Sequence, residues 1–420
     1  MKSIQAEIIT IGDEILFGQI TDTNTQWISA ELTKIGIRTV RKSSVGDTQD
    51  AILTILREAA GRADLVILTG GLGPTKDDIT KQTLCRFFDT DLVMNEQALA
   101  FVTAFFARRG RELTDINRTQ AALPRNCTYI PNDWGTAPGM WFNEQQTIYV
   151  SLPGVPFEMK NLMQYRVIPM LQKHFETPVI VHRMIRTVGI GESFLAERIA
   201  DWEAALPPHI RLAYLPHFGQ VRLRLTGTGT NEAELKQEID HQVQQVLPLI
   251  ESNVFGFDED ELEGVIGRLL TERSLTLSTA ESCTGGFVAS QITRVPGASA
   301  YFWGSVVSYS NAIKVNQLGV QPETLEQFGA VSEQTVTEMA EGVRKKLGTH
   351  VSLATSGIAG PDGGTPDKPV GTIWIACSTE NQTTTRLLKF GPYRDQNIQL
   401  TAVYALNLLR EVIMGERVKE

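Results

Sequence analysis

A hydroxyl and a thiol stand side by side at the predicted start of a helix. Ser282 and Cys283 lie in the segment 280–286, between a predicted strand and a glycine-started helix. Either side chain could act as a nucleophile, with the N–H groups of the first helical turn as an oxyanion hole. His350 is the only histidine after residue 256, so a lysine with a pKa lowered by burial would have to be the base, and Lys314 is the best-placed candidate. The alternative is a plain helix cap at Ser282 and a solvated Lys314.

A second glycine-rich loop follows a strand-like run in the same part of the chain. The segment 355–364 contains four glycines, and Arg394 comes after the next strands. A guanidinium group beside such a loop could hold the phosphate of a nucleotide substrate. The alternative is a set of turns that need a positive φ.

The N-terminal part carries another candidate loop at residues 70–78. It follows a buried strand, and it ends in the acidic pair Asp77 and Asp78 at a helix start. Free N–H groups at such a turn suit phosphate, and the carboxylates suit a hard cation bridging to it. The chain has no G-x-x-x-x-G-K-[ST] and no G-x-G-x-x-G motif, which disfavours a P-loop kinase and a dinucleotide-dependent enzyme. An Asp-capped helix after a glycine turn is the alternative.

Three segments with different patterns must position these loops. From Glu7 to about Gln172 short apolar runs alternate with amphipathic helices, which predicts βαβ units on a parallel sheet with ligands at the carboxyl ends of its strands. Residues 178–250 have the order β-α-β-β-α, typical of a small α+β module that could equally be a spacer or dimerisation unit. The pattern beyond Glu261 predicts a further α/β domain.

Composition limits the class of protein. The chain has 420 residues, a length that favours two or three domains. Its 39 basic and 48 acidic side chains give a formal net charge of −9, without the excess of positive charge that is typical of proteins that bind duplex nucleic acid. Four separated cysteines, no apolar leader and no membrane-length apolar run predict a soluble cytoplasmic protein with reduced thiols.

Together these motifs resemble the CinA family of bacterial competence/damage-inducible proteins, over essentially the whole chain. The resemblance implies an α/β protein of three domains. The first, 1–172, is a molybdopterin-binding-like, Rossmann-type three-layer sandwich; 173–255 is a KH-type α+β module; 256–420 is an α/β amidase domain. The segments that carry the resemblance are 12–14, 22–24, 69–80, 152–156, 281–286, 309–311 and 357–364.

The resemblance also implies a bifunctional enzyme of pyridine-nucleotide recycling. The C-terminal domain would hydrolyse nicotinamide mononucleotide to nicotinate mononucleotide and ammonia without a cofactor. The N-terminal domain would hydrolyse ADP-ribose to AMP and ribose 5-phosphate with a divalent metal ion. These nucleotides are the expected partners, with a homodimer as the expected assembly and neither membrane nor nucleic acid as a partner.

The family pattern assigns roles to matching positions. Ser282 becomes the nucleophile instead of Cys283, Lys314 the base, and Tyr309 an orienting or proton-relay group. Substrate-binding residues in the C-terminal domain are Thr284, Gly285, Thr355, Gly357, Gly360, Gly364 and Arg394. In the N-terminal domain they are Gly70, Gly71, Gly73, Thr75 and Asn24, and the expected metal ligands are Asp77, Asp78, Glu14, Asp13 and Asp47.

Two other functions stay open. The N-terminal domain could bind a pterin or a nucleotide without turning it over. The middle module could be an RNA-binding or protein-interaction unit, although the acidic segment 189–192 stands where a KH-type clamp would need to hold phosphate.

Overall fold

The computed structural model describes residues 4–75 and 77–415, so Lys76 of the first glycine-rich loop lies outside the described residues. The chain divides into two compact units. The first runs to Val181 and takes in Thr228–Leu235, and the second comprises His182–Gly227 and the chain from Lys236.

The first unit is built of alternating strands and helices, as its sequence pattern predicts. A 3-10 turn at Thr119–Ala121 precedes β5, and a π-helical turn at Met163–Val167 joins α7 to α8. The elements are β1 (Gln5–Ile11), α1 (Asp13–Leu16), α2 (Thr23–Lys34), β2 (Arg38–Val45), α3 (Gln49–Ala60), β3 (Leu65–Thr69), α4 (Thr80–Phe87), β4 (Leu92–Met94), α5 (Glu96–Ala107), α6 (Asp115–Arg118), β5 (Ala122–Pro124), β6 (Thr128–Ile130), β7 (Gly139–Glu144), β8 (Thr147–Leu152), α7 (Pro156–Leu162) and α8 (Ile168–His174).

Six strands of this unit form one sheet in the order β2-β1-β3-β8-β7-β6. Strand β1 runs parallel to β2 and β3, and β3 runs parallel to β8, whereas β7 is antiparallel. The chain leaves β1 toward β2 and returns to the other side of β1 at β3. The loops after β1 and β3 therefore diverge at a topological switch point, where ligands of such sheets bind.

Both faces of this sheet are buried, because adjacent residues of β1 point into different cores. Ile8 packs in a cluster with Ile28 of α2, and Ile9 packs in another with Ile52 of α3. A sheet covered by helices on both faces is the predicted three-layer sandwich, which the structure confirms.

The first sheet associated with the second unit has the strand order β10-β11-β9-β12. Its chain order, β-α-β-β-α followed by a fourth strand, agrees with the sequence pattern and adds β12. The elements are β9 (Val179–Val188), α9 (Glu192–Ala204), β10 (Ile210–His217), β11 (Gln220–Gly229), α10 (Glu232–Ile250) and β12 (Val254–Phe257), with a 3-10 turn at Glu251–Asn253.

The rest of the second unit surrounds a five-stranded sheet in the order β14-β13-β15-β16-β17. Strand β13 is parallel to β14 and β15, and the last two strands are antiparallel. The elements are α11 (Leu262–Glu272), β13 (Leu277–Glu281), α12 (Phe287–Thr293), β14 (Phe302–Val307), α13 (Asn311–Leu318), α14 (Pro322–Phe328), α15 (Glu333–Leu347), β15 (Val351–Gly357), β16 (Thr372–Ser378), β17 (Thr383–Lys389) and α16 (Arg394–Met414), with a 3-10 turn at Ala298–Ala300.

This sheet repeats the switch-point arrangement between β13 and β15. Leu277 and Leu353 face a core shared with α11, α12 and α16. Ala280 and Ala354 face α15 on the other side. Both faces are thus covered, and the loops after β13, β14 and β15 open at one edge.

No helix within residues 4–75 and 77–415 combines the length and the apolarity that a membrane crossing needs.

Candidate active sites

A buried amine lies against a partly exposed hydroxyl at the edge of the second unit's five-stranded sheet. Lys314 Nζ donates to Ser282 Oγ at 3.1 Å and to the carbonyl oxygen of Ser308 at 2.8 Å. Lys314 is only 1% exposed. Burial disfavours the charged ammonium and lowers the pKa of Lys314 below the ordinary value for lysine. This pair can supply a nucleophile and a base.

Two adjacent parallel strands bring these side chains together. Ser282 follows β13 directly, and Lys314 lies in the first turns of α13, which follows β14. The Ser310 hydroxyl caps this helix by accepting a hydrogen bond from the Ile313 N–H at 3.4 Å. Because the carboxyl ends of β13 and β14 meet at one edge, residues 32 positions apart become neighbours.

The neighbouring thiol is much less suited to nucleophilic attack. Cys283 is buried, and burial raises the pKa of its thiol to about 12. A thiol with that pKa stays protonated near neutral pH, and the thiolate is the reactive form. The surroundings therefore favour Ser282 over Cys283.

A cavity of about 220 Å³ opens in front of the pair, with charged and polar groups at its rim. The exposed Arg394 donates to Tyr309 Oη at 3.0 Å and to the carbonyl oxygen of Gly360 at 2.9 Å. Its guanidinium group is therefore held in place beside the cavity. The lining residues are Ser282, Cys283, Tyr309, Asn311, Lys314, Ala330, Val331, Ser356, Gly357, Ala359 and Arg394.

Most of the remaining residues that the resemblance assigns to substrate binding do not line this cavity. Thr284 and Thr355 are buried, and their hydroxyl oxygens are 2.8 Å apart. Neither lines the cavity, and the same holds for Gly285, Gly360 and Gly364. Of the glycines predicted for this domain, Gly357 is the one that lines the cavity. Asn311 and Ser356 were not predicted as site residues, although Asn311 lies within the quoted segment 309–311 and Ser356 within the predicted loop 355–364.

The prediction that N–H groups at the start of α12 form an oxyanion hole is wrong, because these groups are already hydrogen-bonded within the protein. The N–H groups of Gly286, Val288 and Ala289 all donate to the Glu281 carboxylate, at 3.0, 3.1 and 2.8 Å. A substrate oxyanion would have to replace that carboxylate to reach them.

A second cavity, of about 490 Å³, lies in the first unit where the loops after β1, β3 and β8 meet. Carboxylates and glycine-rich backbone both line it. The lining residues are Ile11, Gly12, Glu14, Asp47, Gly70, Gly71, Leu72, Gly73, Pro74, Asp77, Asp78, Gln120, Thr136, Ala137, Pro153, Gly154, Val155 and Glu158.

Close backbone approach explains the glycines here. Gly70 has φ +119°, and a Cβ there would collide with the carbonyl oxygen of Ile11. A Cβ on Gly154 would lie 3.3 Å from the Gly70 Cα. Asn24 is buried behind these turns, donating to the Gly154 carbonyl oxygen at 2.8 Å and to Thr69 Oγ1 at 3.2 Å. Asn24 therefore positions the cavity wall and does not line it.

Much of the predicted phosphate cradle is already bonded within the protein. Asp78 accepts hydrogen bonds from the N–H groups of Gly73 and Thr75 at 2.8 and 2.9 Å, and from the Thr75 hydroxyl. The Gly70 N–H donates to the carbonyl oxygen of Leu152. Gly71, which also lines the cavity, and its neighbour Leu72 are the remaining candidates for backbone donation to a ligand.

Carboxylates from the loops after β1 and β2 approach one another beside this cavity. The Asp13 N–H donates to Asp47 Oδ2 at 3.0 Å. Burial is the main cause of the raised pKa of Asp47, and the negative charges of Asp13, Glu14 and Asp77 add to it. A cation or a cationic group bound here would relieve that repulsion.

These carboxylates do not form a ready-made metal centre. Among the residues that the structure describes, no three His, Cys, Asp or Glu side chains are placed to hold one ion together. Asp78 is engaged with its own turn, and Asp13 does not line the cavity. The oxygen chemistry still suits Mg²⁺, which proteins commonly bind through one or two carboxylates plus substrate phosphates.

Sequence reasoning missed three polar residues of this cavity, Gln120, Thr136 and Glu158. Glu158 accepts a hydrogen bond from Asn132 Nδ2 at 2.7 Å, and burial raises the pKa of its carboxyl. Its position shortly after the Pro153–Pro156 turn was an available signal, because that turn borders the cavity.

Comparison with known families divides the chain into three matches. Residues 7–173 match the "Probable molybdopterin binding domain", residues 182–256 the "Damage-inducible protein CinA KH domain", and residues 259–413 the "CinA C-terminal domain".

Individual relatives match nearly the whole chain. A "CinA-like protein" of Cytophaga hutchinsonii is 57% identical over 407 residues, which is 97% of each chain. A "CinA-like protein" of Flavobacterium psychrophilum is 47% identical over 98% of this chain and 99% of its own. Among solved structures, the competence/damage inducible protein CihA from Agrobacterium tumefaciens is 36% identical and covers 36% of this chain and 96% of its own, with a TM-score of 0.35.

Proposed function

Since the chain belongs to the CinA family, we propose that its C-terminal domain is a serine–lysine amidase that hydrolyses nicotinamide mononucleotide to nicotinate mononucleotide and ammonia. The observation that carries the proposal is the 3.1 Å contact between Lys314 Nζ and Ser282 Oγ at the cavity. The choice of substrate rests on the family resemblance. The polar cavity rim with Arg394 is compatible with a phosphate group.

In the acylation step, Ser282 Oγ attacks the carboxamide carbon and its proton passes to the neutral Lys314 amine. The C–N bond then breaks, and the leaving nitrogen takes that proton to depart as ammonia. Burial of Lys314 keeps a useful fraction of the amine neutral. The Ser308 carbonyl oxygen accepts another amine hydrogen and so holds the nitrogen within reach of Ser282 Oγ.

In the deacylation step, water attacks the ester carbon and gives its proton to Lys314. The ester C–O bond breaks, the proton returns to Ser282 Oγ, and the carboxylic acid leaves. Asn311 lines the cavity and carries a side-chain N–H₂ group that could donate to the oxyanion in both steps. Tyr309 and Arg394 would hold the phosphate end at the rim.

The test is the release of ammonia and nicotinate mononucleotide by the purified chain and by Ser282→Ala. The wild-type chain should produce both in equal amounts, and the variant should lose at least about a thousandfold in rate. Circular dichroism of the variant should match that of the wild type. Full activity in Ser282→Ala would remove the proposed mechanism.

For the first unit we propose hydrolysis of the pyrophosphate of ADP-ribose to AMP and ribose 5-phosphate in its cavity. The supporting observation is the convergence of Glu14, Asp47 and Asp77 on a cavity walled by close-approach glycine turns. A divalent cation, when bound by the substrate pyrophosphate and one or two carboxylates, would supply charge neutralisation. The Gly71 and Leu72 N–H groups would contact the phosphate oxygens.

AMP formation from ADP-ribose in the presence and absence of Mg²⁺ tests this second activity. The Asp47→Asn and Asp77→Asn variants should lower the rate without changing ammonia release from nicotinamide mononucleotide. Binding of ADP-ribose without any AMP would instead support a nucleotide- or pterin-binding module that does not turn its ligand over.

A further inference from the structure

The residue before the nucleophile is a fully buried carboxylate. Glu281 ends β13, is 0% exposed and does not line the cavity. Hydrogen bonds to both neighbouring strands fix its backbone. The Ser308 N–H donates to the Glu281 carbonyl oxygen at 2.7 Å, and the Ser282 N–H donates to the Thr355 carbonyl oxygen at 3.0 Å. The mechanism above gives this carboxylate no part in the chemistry.

Its side chain reaches forward under the turn that carries Ser282. Oε2 accepts hydrogen bonds from the Thr284 hydroxyl at 2.7 Å and from the N–H groups of Gly286 and Val288. Oε1 accepts from the Ala289 N–H. One carboxylate thus connects the end of β13 to the first turn of α12 and closes the loop between them.

The loop has a shape that needs such a closure. Gly285 and Gly286 have φ +61° and +100°. Glycine adopts positive φ angles readily, but it adopts negative ones as easily, so contacts from outside these residues must select this conformation. Five donors converge on Glu281, because the Thr279 hydroxyl also approaches Oε1, at 3.5 Å. They hold Thr284 and Gly286, and the Gly285 N–H donates to the Ser282 carbonyl oxygen. Because Ser282 begins this loop, the same contacts determine where its Oγ lies relative to Lys314.

We propose that Glu281 is the positioning residue of the amidase: it holds the Ser282 turn so that Oγ meets the Lys314 amine. The inference rests on the proposed amidase function. Glu281 does not touch the reacting atoms, and it acts through the backbone of residues 284–289.

Glutamate suits this place for two physical reasons. A carboxylate only accepts hydrogen bonds, so both oxygens satisfy donors. In addition, its negative charge at the start of a helix is favourable. In Glu281→Gln, an N–H₂ group replaces one carboxylate oxygen. At the Oε1 position it confronts the Ala289 N–H, and at the Oε2 position it confronts the N–H groups of Gly286 and Val288.

The first experiment measures kcat and KM for nicotinamide mononucleotide in the wild-type chain and in Glu281→Gln. A misplaced nucleophile should lower kcat by about a hundredfold and change KM by less than about threefold. Glu7→Gln is the matched control, since Glu7 is also fully buried and bonded, to Arg62, but lies in the other unit. Its kcat should equal that of the wild type.

The second experiment measures the rate at which phenylmethylsulfonyl fluoride labels Ser282, which requires no knowledge of the substrate. Labelling should be about a hundredfold slower in Glu281→Gln than in the wild type. If the wild type is labelled but releases no ammonia, the proposed substrate fails while the positioning role is still tested. Equal labelling rates in both proteins, or no labelling of the wild type, would overturn the inference.

If Glu281→Gln does not fold, Thr284→Val replaces it, with Thr293→Val as its control. The first change removes one donor to the Glu281 carboxylate. The second makes the same substitution at an exposed threonine of α12 whose hydroxyl bonds only the carbonyl oxygens of Ala289 and Ser290. The Thr284→Val variant should label about tenfold more slowly, and the Thr293→Val variant at the wild-type rate. Equal rates in the two variants would contradict the positioning role.

Discussion

At the scale of single residues, the two candidate nucleophiles differ because of burial. Cys283 has its sulfur in the core, where the charged thiolate is unfavourable, whereas Ser282 is partly exposed to the cavity and touches an amine. Lys314 is buried as well, but for an amine burial favours the neutral form that a base requires. The same low-polarity surroundings thus deactivate the thiol and prepare the lysine.

Removing the thiol should therefore leave the proposed chemistry intact. In Cys283→Ala, kcat for ammonia release should stay within about threefold of the wild type, because the thiol, with a pKa of about 12, is protonated at pH 7. Steady-state kinetics beside Ser282→Ala provide the comparison. Loss of activity in a folded Cys283→Ala with retention in Ser282→Ala would reverse the assignment.

The state of Lys314 also predicts a direction of pH dependence. The protonated amine cannot accept the Ser282 proton, so kcat/KM should rise with pH as Lys314 loses its proton. Because burial lowers the pKa of Lys314, the rise should level off below the lysine value of about 10.4. Ammonia release measured from pH 5 to 10 checks this. A rate that falls steadily over that range would exclude Lys314 as the base.

At the scale of elements, the alternation of strands and helices and the position of the glycine loops were predictable. The order of the strands in each sheet and the use of the loop N–H groups were not. The sequence correctly indicated α/β units with loops at strand ends, including the turns at 70–78 and 280–286. Both turns, however, satisfy N–H groups with a carboxylate of their own, Asp78 in one and Glu281 in the other. A glycine turn beside an acidic residue looks the same in sequence whether the acid closes the turn or faces a ligand.

The distances that define the sites also depend on tertiary packing. Lys314 could be suggested as a base from its segment, but its contact with Ser282 requires β13 and β14 to pair in register. No local pattern encodes that pairing. Glu158 approaches the cavity of the first unit because α7 begins directly after the Pro153–Gly154 turn, so the turn itself was a local signal for this residue.

The close approach of backbone at Gly70 gives a prediction for the first unit. Gly70→Ala places a Cβ against the carbonyl oxygen of Ile11 at φ +119°. It should lower the free energy of unfolding of this unit by about 1–3 kcal/mol and reduce AMP formation from ADP-ribose. Gly110→Ala is the control, since Gly110 also has a positive φ but open space around it. Denaturant unfolding should show a smaller loss there, and equal losses would contradict the steric account.

At the scale of the whole molecule, the two candidate sites lie in separate compact units, each at the switch point of its own sheet. In both, a buried lysine lies near the site: Lys314 in the second unit and Lys81 in the first. Lys81 donates to the carbonyl oxygen of Gln120 at 2.7 Å, and burial lowers the pKa of Lys81 to about 8. A buried amine whose pKa is lowered in the folded chain makes stability depend on pH.

Lys81 should make the first unit more stable as pH rises. With a pKa of about 8 in the folded chain and about 10.4 when unfolded, the unfolded state binds more protons between these values. The free energy of unfolding should rise with pH there, by up to about 3 kcal/mol, and this gain is lost as pH falls through 8. Denaturant unfolding of wild type and Lys81→Met at pH 7 to 10 should show the extra rise only in the wild type. An equal rise in both would contradict the assignment.

The most direct measurement of the central claim is ammonia release from nicotinamide mononucleotide by the wild type and by Lys314→Met. Methionine keeps an unbranched side chain and removes the amine, and Lys345→Met, at an exposed lysine, controls for loss of a positive charge. The wild type and Lys345→Met should turn over equally, and Lys314→Met should be slower by about a thousandfold. Activity of Lys314→Met within tenfold of the wild type would show that the serine–lysine pair does not carry the reaction.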